Sequence, residues 1–301
     1  MSVTEHTISF GRYTAVVTAR GGALRELRHK DRDLIISFGS EGPIPDYRGM
    51  ICAPWPNRLA DGRYTYMGQQ YKAEINEPER ATALHGLVLD KTWDVQDSGP
   101  SFIRLGCRLE SGLAYPSELE VSVAYELKAD GLHCSVRAYN AGRAEAPYGV
   151  CPHPYLVAGP APLDEWTLQI PAATFLDVTA DRLLPAKTKT VNGHEFDFRR
   201  ERTLGAIEID HAFTDIERSA GKSASVRVFD PSGSGVELEW DDYWPWLQIH
   251  TADKPQGPSR LGLAVEPMTC PPDAFNSGVD LVRLAPGASH EAAWIIRSLS
   301  R

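Results

Sequence analysis

Apolar and polar residues alternate along much of this chain. From Leu119 to Leu127 the apolar set Leu119, Val121, Val123, Tyr125 and Leu127 is interleaved with Glu120, Ser122, Ala124 and Glu126. Val226 and Val228 alternate with Ser225 and Arg227, and Val236, Leu238 and Trp240 with Glu237 and Glu239. A period of two sends successive side chains to opposite faces, so these segments predict half-buried strands of antiparallel sheets. Turn residues separate them: Ala129-Asp130-Gly131, Asn140-Ala141-Gly142 and Pro231-Ser232-Gly233. No stretch carries a 3.6-residue period over three or four turns, and the best helical candidate is the short run Arg199–Ile207. Nothing repeats, and no Gly/Ser linker divides the chain. The pattern predicts one all-β domain over residues 1–301, a sandwich or barrel of short strands with few short helices.

Composition narrows the partners. At 301 residues the chain can bury a core without disulfide or metal staples. The 25 glycines and 22 prolines exceed the usual share, as many turns between short elements require. Net charge is −9, from 31 basic and 40 acidic residues. The densest basic run, Arg199, Arg200 and Arg202, is broken by Glu201. Phosphate backbones are bound by clustered cations, so neither nucleic acid nor an anionic membrane is an expected partner. No apolar run approaches the ~18 residues of a membrane helix. Met1–His6 lacks the basic flank and apolar core of a signal peptide, which makes the cytoplasm the expected location. Cys52, Cys107, Cys134, Cys151 and Cys270 are odd in number and form no C-x-x-C pair. They predict small buried thiols, not a disulfide framework or a zinc ribbon.

Several local motifs fail on spacing. Gly221-Lys222-Ser223 looks like the end of a phosphate-binding loop, but the glycine that loop needs five residues earlier is Ile216. His194-Glu195 and His290-Glu291 lack the second histidine of a zinc protease, and Ser232-Gly233-Ser234-Gly235 lacks dinucleotide-binding spacing.

Four segments combine ionisable groups with Gly, Pro and aromatics in a way plain strands do not need. They are Pro54–Arg58, Leu84-His85-Gly86, Cys151–Tyr155 and Val265–Asn276; Ile209–Phe213 is a weaker fifth. A lone histidine is more often structural than catalytic. His153, however, stands between Pro152 and Pro154, a stiff setting that suits a side chain to be aimed. Glu266 ends an apolar run, where a carboxylate needs partners or its pKa rises. The structural alternative for Glu266 is an ion pair with Arg58 or Arg260.

Taken in order, these segments resemble the aldose 1-epimerase (mutarotase) family of the galactose-mutarotase-like superfamily. Asn57-Arg58 through Tyr64, with Leu84-His85-Gly86, resembles its N-terminal signature, and Tyr148-Gly149 through His153-Pro154-Tyr155 its central motif. Asp181–Pro185, Phe196–Arg199, Asp210-His211-Ala212-Phe213, Glu266–Asn276 and Leu284–Gly287 follow in the family's order. The resemblance implies a large antiparallel β-sandwich (a supersandwich) with an open sugar cleft. It implies an isomerase that interconverts the α and β anomers of a free aldohexose such as glucose or galactose, without cofactor or metal. By motif, Glu266 would be the general base on the anomeric hydroxyl and His153 the general acid on the ring oxygen. His85 would assist polarisation or bind a sugar hydroxyl, and Arg58 and Asp210 would bind sugar hydroxyls. The chain departs from the family at Leu156-Val157, where galactose mutarotases often carry Phe-Asn. That bears on the preferred sugar, not on the reaction.

The chemistry is coherent without the family. Opening a hemiacetal removes a proton from O1 and supplies one to O5. Rotation about C1–C2 then lets the ring close on the other face. A carboxylate and an imidazole on opposite sides of the C1–O5 bond suffice, each worth about 10²–10⁴-fold. Trp55 or a ring within Tyr243-Trp244-Pro245-Trp246 is a candidate to stack on the sugar. Three other readings stay open. A hexose-6-phosphate mutarotase would need a basic pocket drawn from Arg63, Arg80 or Arg182. A non-catalytic sugar-binding or sensing protein would use the same fold. The third is a glycoside hydrolase or lyase, a hydrolase using Asp210 with Glu266 as its carboxylate pair. The sequence leaves the oligomeric state open.

Overall fold

The computed structural model describes residues 4–254 and 258–301. Alternation builds the larger sheet. Leu119, Val121, Val123, Tyr125 and Leu127 are buried on one face of Leu119–Lys128, while Glu120, Glu126 and Lys128 are exposed on the other. Nine strands pair antiparallel in the spatial order Asp94–Ser98, Phe102–Leu109, Leu119–Lys128, Gly131–Asn140, Ser289–Ser300, Ser234–Trp240, Ala224–Phe229, Thr167–Gln169 and Arg202–Thr203. The chain therefore returns from its C-terminal end to the centre of this sheet. A six-stranded sheet runs Tyr155–Leu156, Leu263–Met268, Trp246–His250, Asp210–Ile216, Ala172–Val178 and Pro185–Thr190. An N-terminal four-stranded sheet over Glu5–Asp33 packs against the strands Phe102–Leu109 and Leu119–Lys128 of the larger sheet. One core cluster takes side chains from Ile8 to Ile296 and joins these sheets. Such large antiparallel sheets packed face to face form a β-sandwich.

The predicted turns fall between strands. Gly131 closes the hairpin opposite Lys128 at φ +148°, and a Cβ there would lie 2.6 Å from the Ile296 carbonyl oxygen. Gly233 turns the Ala224–Phe229 strand into Ser234–Trp240. The helix expected at Arg199–Ile207 does not form. Arg202–Thr203 instead pairs with Thr167–Gln169, Leu204 N–H bonds to the Trp166 carbonyl, and Gly205 adopts φ +64°. The segment's apolar residues are too few to stripe a helix, so strand pairing wins. The single α-helix among the described residues is the four-residue Ala274–Ser277. No helix there is long and apolar enough to cross a membrane.

Candidate active site

Two short strand pairs and the strands of the six-stranded sheet together supply the residues of one cavity. Arg58–Ala60 pairs with Thr82–Leu84, which sets Arg58 opposite Leu84 and brings two separate sequence motifs together. His85 N–H donates to the Asn57 carbonyl, and Asn57 N–H donates to His85 Nδ1 at 3.2 Å. An Nδ1 that accepts leaves the proton on Nε2, so His85 is a fixed neutral donor. The turn is tight. Asn57 and His85 both hold positive φ, and a Cβ on Gly86 would meet the Ala53 carbonyl oxygen at 2.1 Å. Glycine is required there.

Cys151-Pro152 pairs with Ile51-Cys52, and His153 N–H donates to the Met50 carbonyl at 3.0 Å. Glu266 sits in Leu263–Met268 directly opposite Gln248, and Asp210 lies opposite His250 on the neighbouring strand. These residues enclose a cavity of about 150 Å³ lined by Asp46, Tyr47, Asn57, Arg58, Leu84, His85, His153, Tyr155, Asp210, His250 and Glu266. All five residues expected to act on a sugar are in that set. Larger depressions, such as one of about 380 Å³ over the outer face of the nine-stranded sheet, contain none of them.

Arg58 is locked in place. Its Nε and Nη2 donate to the two carboxylate oxygens of Glu77 at 2.8 and 2.9 Å, and Glu77 also accepts from Thr82 Oγ1 and Arg80 Nη1. That leaves Arg58 Nη1 facing Asp210 at 3.8 Å. A fork of this kind orients the guanidinium and restricts its motion. Removing Glu77 strands a buried charge, a loss of about 3–5 kcal/mol for such pairs. The variant Glu77→Ala is expected to melt well below the wild type, and calorimetry measures this. An unchanged melting temperature would show that the anchor is dispensable.

The catalytic candidates touch. His153 Nε2 lies 3.3 Å from Glu266 Oε1, with both side chains almost fully buried. The expectation that they would flank the C1–O5 bond from opposite sides is corrected: they stand side by side. Glu266 is not the partner of an arginine either. Arg58 is taken by Glu77, and Arg260 pairs with Asp164 and Asp253. Burial pushes Glu266 well above the usual carboxylate range, with help from the Asp210 charge. Burial likewise pushes the His153 imidazole down to about 3, and His250 adds to the effect. The ring of Tyr155 stacks on His153 at 5.4 Å and His85 meets it edge-on at 4.9 Å, which keeps water away. Burial would raise Asp210 too, but His250, Arg58 and the Gln248 amide, which donates to Oδ1 at 2.7 Å, outweigh it and keep Asp210 ionised.

The aromatic expectation fails. Trp55 is buried with its N–H on the Ala83 carbonyl, Trp244 donates to the Ala293 carbonyl and Trp246 to Asp280. Tyr243 is exposed beside His290. None of these rings lines the cavity, whose aromatic walls are Tyr47 and Tyr155. The arginines considered for a phosphate are also elsewhere. Arg80 is held by Glu77 and Glu79, Arg182 binds Asp61 and the carbonyls of Arg80 and Ala81, and Arg63 lines a different depression. Tyr47, His250 and Gln248 were not singled out as site residues from sequence. For the last two a signal existed: Trp246, Gln248 and His250 share one face of a strand next to the one that carries Glu266.

Two sets of three donor atoms lie mutually within 4.8 Å, Cys52 with His85 and Cys151, and His85 with His153 and Glu266. Each is compact enough for a metal ion. The second comprises the same atoms that can carry protons.

The protein is thus an antiparallel β-sandwich that carries a small polar cavity with a buried carboxylate–imidazole pair. The chain belongs to the aldose 1-epimerase family, whose description matches residues 4–297. It is 34% identical over 286 residues to YihR of Escherichia coli, covering 94% of this chain and 90% of that one. It is 29% identical over 280 residues to galactose mutarotase of Sus scrofa, covering 84% and 80% of the two chains. In fold it is similar to the crystal structure of a putative aldose 1-epimerase from Escherichia coli, with TM-score 0.87, 23% identity, and 99% and 100% of the two chains covered.

Proposed function

We propose that the protein is a mutarotase that interconverts the α and β anomers of a free aldose by ring opening and reclosure. The observation that carries this reading is the 3.3 Å contact between Glu266 Oε1 and His153 Nε2 inside one monosaccharide-sized cavity. O1 and O5 of a hemiacetal share one carbon, so two neighbouring groups reach both.

The opposed shifts of the pair fit the cycle. Between the titrations of His153 and Glu266 the pair holds one proton, and burial places it on the carboxyl. The form that opens the ring, carboxylate with imidazolium, is the tautomer of that state. As the ring opens, Glu266 takes the O1 proton and His153 gives one to O5. The pair then returns to the distribution its burial favours. Closing on the other face runs both transfers backwards. Asp210, kept anionic, accepts from sugar hydroxyls, while Arg58 Nη1 and His85 Nε2–H donate to others. Gln248 Oε1 and His250 Nδ1 are buried without a hydrogen-bond partner among the described residues, a pattern that favours a polyhydroxy ligand.

The activity is tested by polarimetry or saturation-transfer NMR on freshly dissolved α-glucose and α-galactose. Accelerated equilibration is expected. No acceleration with any common aldose, free or 6-phosphorylated, would leave the non-catalytic binding reading. Release of aryl alcohol from aryl glycosides would instead favour hydrolysis by Asp210 and Glu266.

The one-proton state also fixes the pH dependence. kcat/KM is expected to stay level between the two titrations, to fall in acid as His153 takes a second proton, and to fall on the alkaline side as the upshifted Glu266 gives up the only one. A profile that keeps climbing with pH well past neutrality contradicts this assignment.

A further inference from the structure

We propose that Cys151 is a positioning residue, its thiol holding Glu266 Oε2 so that Oε1 stays turned to His153 and the anomeric oxygen. The inference rests on the acid/base reading of Glu266 given above. Cys151 Sγ donates to Oε2 at 3.6 Å, while the other oxygen faces His153 at 3.3 Å. Among the described residues these are the only side-chain contacts of hydrogen-bond type that the carboxylate makes. Both come from one stretch of backbone. Positions 151 and 153 are two apart in extended chain, so they point the same way and grip one oxygen each. Pro152 between them stiffens the backbone. Cys52 lies beside the thiol as its partner in the strand pair.

The choice of a thiol has a chemical consequence. S–H is a weak donor, so it orients the carboxylate while stabilising the anion only modestly. A hydroxyl would stabilise the anion more, and a methyl not at all. The thiol stays protonated because burial and the adjacent Cys52 and Glu266 all push it well above its ordinary range. The other ionisable groups around Glu266 are Asp210 and Arg58, with His85, His153, His250, Tyr47, Tyr155 and Asp46 lining the same cavity. They are common to every variant at position 151.

The experiment is the pH profile of kcat/KM for α-glucose equilibration in the wild type, Cys151→Ala, Cys151→Ser, Cys52→Ala and Glu266→Gln. Losing the donor in Cys151→Ala is expected to move the alkaline limb up by as much as about one pH unit, in keeping with the loss of one hydrogen bond. kcat should fall by about 3–10-fold with KM little changed. Cys151→Ser should recover most of kcat and move the same limb down. Cys52→Ala should keep the wild-type limb. Opposite shifts by the two Cys151 variants are what repacking alone does not produce. Should Cys151→Ala fail to fold, the downward shift in Cys151→Ser decides. Wild-type limbs in the folded Cys151 variants, with Glu266→Gln inactive, would overturn the role of the thiol and leave the acid/base reading standing. Near-full activity in Glu266→Gln would remove both.

Discussion

Glu266→Gln is expected to lower kcat for anomer exchange by at least about 100-fold while the protein keeps its fold. The amide has nearly the shape of the carboxyl, so the packing at the centre of Leu263–Met268 survives. It also keeps an oxygen and a donor for Cys151 and His153. What it cannot do is take up the O1 proton. KM should change little, because sugar hydroxyls are held by Arg58, His85 and Asp210 under this reading. The measurement is saturation-transfer NMR on wild type and variant at equal sugar concentration, with circular dichroism to verify folding. Retention of more than about a tenth of kcat would mean that another group removes the proton.

The second large effect is expected from His153→Asn, again a loss of at least about 100-fold in kcat. Here the contrast with His85 matters. His85 receives the Asn57 N–H on Nδ1, so its single remaining proton sits on Nε2 as a fixed neutral donor. Of the two histidines only His153 lies within hydrogen-bond range of the Glu266 carboxyl among the described residues, and the proposed proton exchange runs through that contact. His85→Asn should therefore raise KM more than it lowers kcat, and His153→Asn should do the reverse. The decisive measurement is full Michaelis–Menten analysis of both variants. Were His85→Asn to cost more in kcat than His153→Asn, the donor assignment would have to be exchanged.

Both expectations start from residues legible in the chain. The all-β class followed from alternation at segments such as Leu119–Leu127, because a half-buried strand prints its two faces directly onto the sequence. Arg58, His85, His153 and Glu266 lay in stretches where Gly, Pro and ionisable groups cluster without a strand's need for them; the weaker Asp210 segment, and the role given to each of the five, rested on the family resemblance. All five line one cavity. The misses have a common physical origin. Trp55, Trp244 and Trp246 resemble sugar platforms in sequence, yet each is buried with its indole N–H satisfied by a local acceptor. Composition does not say which side of a strand faces the core. The helix expected at Arg199–Ile207 was lost because Thr167–Gln169, some thirty residues away, offered those residues a strand partner.

By itself the sequence determined the secondary-structure type, the acidic surface and the identity of the ionisable residues available for chemistry, since these depend on local pattern and on side-chain type. The tertiary structure decided which of those residues meet. It took Arg58 out of contention as the partner of Glu266 by tying it to Glu77, and set Glu266 between Cys151 and His153. It also removed water from the pair, which is what drives the two proton affinities in opposite directions. Proton affinity depends on burial and on neighbours distant along the chain, and both exist only once the strands have closed around the cavity.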